Sequence, residues 1–326
     1  MAELQLPDYK TLSKRRYGSA PEGSIWGFWD ELHGGPDKLG SLNLLTSERV
    51  LAAKDEIKTG SRVQLDWSLN NLRHTLHDRQ RLEQEIIDYL PIVGVHAHDD
   101  VLKFNTQCGS QWDGFGHYGH PTGVYYNAVK HADVKGAPGS LGINHWCERG
   151  GIVGRGVLLD YVRYLEDKGL PVPDPTTNHG FTVRDLEAVA QYQKLDFKVG
   201  DLLFVRTGFV RWYDNAPDGE RQRCMGGEKS TFIGLQGSEE AKEWLWDHHF
   251  AALACDTFAF EVNPPTEVVL HETVLPLWGT PIGEMFNLEQ LSDMCHQQQR
   301  WSFFVTSAPL NVPNGVGSPP NIIAIF

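Results

Sequence analysis

From residue 151 onward the chain alternates apolar runs of strand length with amphipathic segments of helix length. That alternation restricts the fold more than any single motif does. Residues 151–160 form a Gly-punctuated apolar run. Thr182-Val-Arg-Asp185 opens a helix with a capping-box pattern, and Val183, Leu186, Val189 and Ala190 recur at helical spacing. Residues 200–206 read as a buried strand, 238–249 as an amphipathic helix and 251–256 as the next strand. Residues 287–298 follow as a helix, then 301–306 and 322–326 as strands. Strand–helix alternation of this kind predicts a layered α/β fold. Nearer the N-terminus, Thr46-Ser47-Glu48 caps a helix running to about residue 58, and residues 63–67 alternate as a strand. No internal repeat is visible, and no linker is long enough to separate domains. The expected organisation is an N-terminal arm and helix over residues 1–60, packed on one α/β domain over residues 61–326.

The arm is rich in Gly, Pro and aromatics. Trp26, Phe28 and Trp29 must pack on something, because exposed together they would form a costly apolar patch. A net charge of -13, from 42 acidic against 29 basic side chains, argues against nucleic acid and against an anionic membrane surface as partners. No apolar run approaches the roughly 18 residues a membrane span needs. The N-terminal residues lack a secretory pattern. Five cysteines, widely spaced and without a CxxC pair, read as reduced thiols, so a cytoplasmic protein is expected.

Chemistry concentrates in Gln107-Cys-Gly-Ser-Gln-Trp-Asp-Gly-Phe-Gly-His117, where Gly109, Gly114 and Gly116 would each weaken a helix. The stretch reads as a loop leading into a short helical turn that presents Asp113 and His117 to one point. An ordinary Gly-rich surface turn is the competing reading. Three other places carry candidate groups. His96-Ala-His98 follows an apolar run and has the spacing of a chelating pair, although both rings on the solvent face of a strand is the simpler reading. Asp247-His248-His249 reads as a packed helix end. His271 precedes Glu284, which from its place after Gly283 and ahead of a helix reads as a capping acid. Cys108 has no neighbour in sequence that would activate it as a nucleophile.

The central stretch resembles the signature H-x-G-T-H-x-D-x-P-x-H of the cyclase family that includes the bacterial kynurenine formamidases and isatin hydrolases. Gly109, Asp113 and His117 match, and Ser110 stands for threonine. Gln107, Gln111 and Phe115 depart from the pattern, as in a longer branch with Gln-Trp-Asp at this place. The likeness extends over most of residues 60–326, through 151–160, 200–208 and the His271…Glu284 pair. It implies a single domain with a mixed β-sheet flanked by helices.

It also implies a divalent metal, zinc or manganese. One position would be built from Gln107, Gln111 and Asp113, weakened because an amide is a poor substitute for imidazole. The other would keep Asp113, His117, His271 and Glu284. One metal at this second position is the expectation. A metal-free Asp113/His117 acid–base pair is the alternative. Which of His117 and His271 is ligand and which proton shuttle stays open.

The implied activity is hydrolysis of an amide, formamide or lactam-type bond in a small, often aromatic metabolite. Trp112, Phe115, Tyr118 and Trp26 are candidates for the wall of its pocket. A dehydratase, cyclase or isomerase using acid–base chemistry is the second hypothesis, and a scaffold that binds without turnover the third. The resemblance further implies a homodimer or larger homo-oligomer, for which the aromatic arm is a candidate interface.

Overall fold

The computed structural model describes residues 5–135, 141–226 and 230–326. Thirteen strands occur among the described residues: β1 Arg62–Gln64, β2 Glu83–Asp88, β3 His98–Lys103, β4 Gln111–Asp113, β5 Ile152–Asp160, β6 Gly180–Phe181, β7 Leu202–Arg206, β8 Gly234–Leu235, β9 Ala252–Cys255, β10 Ile282–Glu284, β11 Ser302–Ser307, β12 Gly317–Ser318 and β13 Ile322–Ile325. Nine of them make one sheet in the order β1-β13-β11-β5-β7-β9-β10-β4-β12. Its centre, β5-β7-β9-β10, is parallel, and antiparallel pairs complete it on both sides. This is a mixed sheet flanked by helices. The central strands are buried along their length, as β7 (Leu202–Arg206) illustrates, which is what a sheet covered on both faces requires.

Three helices lie where the sequence patterns put them. Val183–Gln193 carries the full capping box between Thr182 and Asp185, and buries Val183, Leu186, Val189 and Ala190. Glu239–Asp247 is capped by Ser238, and Glu289–Gln298 leads into β11. Ser47–Ala53 is capped by the Thr46 hydroxyl and gives way to a single 3-10 turn, shorter than the expected run to residue 58. The expected strand over 63–67 pairs only as Arg62–Gln64. Its Trp67 leaves the ladder because its N–H donates to the Ser110 hydroxyl instead (2.7 Å).

The N-terminal arm is sealed onto the body. The Trp26 indole donates to the Pro276 carbonyl (2.6 Å), the Trp246 indole to that of Pro7 (2.7 Å), and the Tyr9 hydroxyl to Glu239 (2.7 Å). Trp26 and Trp29 are buried within their own chain, which removes the reason to read the arm as an interface between copies. Exposed apolar side chains gather elsewhere. β2 and β3 form a separate two-stranded hairpin whose connection includes the short helix Leu90–Val93, leaving Leu90, Ile92, Val93 and Val95 exposed.

Candidate metal centre

β4 lies antiparallel to β10, with Gln111 opposite Glu284, Trp112 opposite Gly283 and Asp113 opposite Ile282. The central stretch is therefore a sheet strand at its middle, not the loop its glycines suggested. Likewise Glu284 ends a strand and caps no helix. Three residues suffice for the pairing because the glycines lie outside it or across from it. Strand alternation puts Gln111 and Asp113 on one face, and the register brings Glu284 to the same face. Trp112 points the other way, packs against Phe286 and donates to Ser307. Opposite Trp112 a side chain is excluded: a Cβ on Gly283 would lie 2.8 Å from both the Trp112 and Phe286 rings. Ser110 accepts from Trp67 and donates to the Met285 carbonyl (2.6 Å), tying β4 to the turn after β10. Met285 itself is held at φ +55°, a strained value for this residue type directly beside Glu284.

His271 begins the helix His271–Val274 and completes the cluster. Ligand-type atoms of Asp113, His271 and Glu284 all lie within 4.8 Å of one another, and all three residues are buried. His271 Nε2 is 3.1 Å from Glu284 Oε1 and 3.8 Å from Asp113 Oδ2. His117 reaches Asp113 Oδ1 at 3.9 Å and stands outside the three-residue group. Gln107 donates to Asp113 Oδ1 (2.5 Å), while Gln111 donates to Glu284 Oε2 (2.8 Å) and to Gln107 Oε1 (3.1 Å). In this structure the two glutamines are thus hydrogen-bond donors to the carboxylates.

One residue of the site has no motif to announce it. Glu261 accepts from the His271 backbone N–H (3.1 Å), and its other oxygen is 2.8 Å from His271 Nδ1. A carboxylate on Nδ1 fixes the tautomer of the ring and aims its far nitrogen, Nε2, at Glu284 and Asp113. Spacing in the chain does not reveal it, because it sits in a loop after β9 and meets His271 only in the folded form.

Three buried carboxylates therefore surround one imidazole, and the electrostatics reflect that excess of negative charge. Burial pushes the Glu284 carboxyl up to about 8, and the charge of Asp113 adds to the effect. For Asp113 burial acts upward too, but the neighbouring imidazoles of His117 and His271 outweigh it and hold it below its ordinary value. Burial opposes a charged His271, yet Glu261 and the other carboxylates raise it well above the usual range. His117, lacking so close a partner, is lowered by burial. Two buried oxygens in the cluster, Asp113 Oδ2 and Gln111 Oε1, have no hydrogen-bond partner. Unpaired buried acceptors are costly, and beside two carboxylates and an imidazole nitrogen they fit a divalent cation.

An open cavity of about 980 Å³ leads to the cluster, within the size range of small-molecule sites. Glu261, His271, Glu284 and His117 line it, with Tyr118 at its side, its ring 5.5 Å from that of His271. Trp112, Phe115 and Trp26 do not reach it. They are core residues, Phe115 packing on Tyr126 and Trp146, because each large ring finds an apolar partner inside the chain. His96 and His98 sit exposed at the end of the hairpin, where His98 faces Asp88 (3.7 Å), apart from the cluster. His248 and His249 close the helix Glu239–Asp247, His248 stacked on Phe250. Cys108 is buried, and burial raises its thiol pKa.

The geometry meets known proteins at this point. Residues 47–262, more than half of the chain, match the family described as "Putative cyclase". A solved structure of a novel cyclase is 32% identical, covers 93% of this chain and 99% of its own, and superposes with a TM-score of 0.80. The chain belongs to the cyclase family. Isatin hydrolase A from Labrenzia aggregata, bound to benzyl benzoate, shares the fold at 16% identity and a TM-score of 0.59, covering 87% of this chain and 98% of its own. An isatin hydrolase bound to the product analogue thioisatinate does so at 13% identity and a TM-score of 0.57, over 86% of this chain and 99% of its own. No curated protein sequence matches the chain significantly.

Proposed function

We propose that this family member is a hydrolase that uses one divalent cation, zinc or manganese, held by Asp113, His271 and Glu284, to cleave an amide, formamide or lactam-type bond in a small metabolite. The convergence of those three groups within 4.8 Å, with Asp113 Oδ2 left unpartnered, carries the reading. A cation held there would act as a Lewis acid, polarising a carbonyl and lowering the pKa of bound water toward about 7. Glu261 holds His271 so that Nε2 faces the site. His117, neutral because burial lowers its pKa, takes the proton from the attacking water and returns it to the leaving nitrogen. This divides the two histidines, His271 as ligand and His117 as shuttle. Tyr118 forms one aromatic wall of the pocket.

The two glutamines favour one position over two. Their amide N–H groups already satisfy one oxygen each of Asp113 and Glu284, and amides bind zinc or manganese weakly. The same network keeps an acid–base lyase or isomerase as the second reading, since Glu284 lies near 8 without any cation. Incubation with isatin and N-formylkynurenine as probes, with and without chelator, tests the choice. Hydrolysis lost on chelation and in Asp113→Ala supports the first reading. Inertness toward all such carbonyl substrates supports the second.

The chain is further proposed to work in the cytoplasm as a homodimer or larger assembly. The support is the hairpin of β2 and β3, which exposes Ile92 and Val93 at 63% each. A lone two-stranded hairpin is marginal in water, so contact with another copy would stabilise it.

A further inference from the structure

The cavity in front of the cluster has a cationic side that the chemistry above does not use. Arg79 lines it together with Phe232, Phe258 and Met225. Arg79 is half-buried, and no described residue forms an ion pair or hydrogen bond with its side chain. That is unusual in a chain with 42 carboxylate side chains against 29 basic ones, where other half-buried arginines, such as Arg155 and Arg300, are paired. The backbone that carries Arg79 is held in place: His77 and Asp78, which also line the cavity, both take left-handed φ values (+56° and +52°), and the Thr75 hydroxyl donates to the Arg79 carbonyl (2.7 Å). Strain of this sort persists where the surrounding structure imposes it, and it clusters at ligand sites. An arginine in this setting offers a planar fork of donors suited to a carboxylate.

We propose that Arg79 is the anion-binding group of the substrate pocket, so that the substrate joins a carboxylate to an apolar, ring-sized body resting against Phe232 and Phe258. The assignment deepens the hydrolase reading and rests on it for the identity of the ligand as substrate, while the binding it claims is measured separately. Phenylacetate and phenylacetamide have nearly the same shape and differ in charge. Their dissociation constants are measured by calorimetry on the full chain, in wild type, Arg79→Gln, Arg79→Lys and Asp113→Asn, each checked for an unchanged circular dichroism spectrum. Wild type is expected to favour phenylacetate at least tenfold. Arg79→Gln should abolish that preference while still binding the amide, Arg79→Lys should retain some of it, and Asp113→Asn should keep it. Equal affinities in wild type, or a preference that survives Arg79→Gln because the carboxylate sits on the Asp113 cluster, overturn the proposal. Preference at Arg79 without turnover of any carbonyl probe leaves the anion site standing and counts against the hydrolase reading alone.

Discussion

At the scale of single residues, some side chains would touch a cation directly and others aim the ones that do. Glu261 belongs to the second kind. Replacing it with Gln keeps the shape but removes the charge that orients His271 and raises its basicity. Losses of roughly 10–100-fold in metal affinity or activity are typical of such outer partners. Glu261→Gln should therefore weaken zinc or manganese binding by about that factor with the fold intact, read by competition with a chelating dye. Affinity equal to wild type would mean that Nδ1 of His271 needs no carboxylate. His117→Asn should instead leave metal stoichiometry unchanged while turnover falls by about 10²–10⁴-fold, the usual worth of a positioned acid–base group. A matching fall in stoichiometry would make His117 a ligand. Asp201 offers a test away from the site. Burial raises its carboxyl to about 6 against the opposing charge of Arg155, 2.7 Å away. Its folded pKa lies above the ordinary 3.8, so its contribution to stability is full below about 3.8 and is lost as pH rises through about 6. Melting temperatures of Asp201→Asn and wild type should diverge across that window, with the variant's profile the flatter one. Parallel profiles would count against a raised carboxyl.

At the scale of elements, β10 shows why some of the site was legible in the chain and some was not. Asp113 is marked by the family signature, and His271 and Glu284 only by the wider family likeness, since position alone reads Glu284 as a capping acid. The strands that bring them together are not, because a three-residue strand such as Gln111–Asp113, flanked by glycines, carries no period-2 pattern to read. Its pairing comes from tertiary contacts: the Ser110 hydroxyl, the Trp112–Phe286 packing, and the absence of a side chain at Gly283. The long helices and β5, β7 and β11 were legible because capping residues and periodic apolar positions are local signals. Glu261 and Arg79 were invisible for the opposite reason, since each acquires its role from neighbours distant in sequence. The hairpin of β2 and β3 lies out of reach of local reading too, its apolar tip resembling a buried strand. Gly283→Ala tests the β10 packing. With the Trp112 and Phe286 rings 2.8 Å from the added carbon, overpacking should cost about 1–3 kcal/mol in denaturant unfolding. A cost near zero would show that the two rings can shift apart.

At the scale of the whole molecule, the mixed sheet does two things at once. Its parallel centre is a buried platform, and its antiparallel flank, β10-β4-β12, displays the carboxylates at the end of a cavity of about 980 Å³. The exposed hairpin is the piece of this architecture left without a core. Paired substitutions Ile92→Asp and Val93→Asp should convert an assembled protein to monomer by light scattering without lowering the monomer's helix and strand content. A wild-type mass of one chain would contradict the assembly. No described helix is long and apolar enough to cross a membrane. Buried carboxylates at 113 and 284 and the imidazole at 271 are proposed to grip one ion. Calorimetric titration of zinc or manganese into the metal-stripped chain, beside Asp113→Asn, decides this: one ion per chain in wild type and none in the variant is the expected result, and equal binding in both, or none in either, would contradict it.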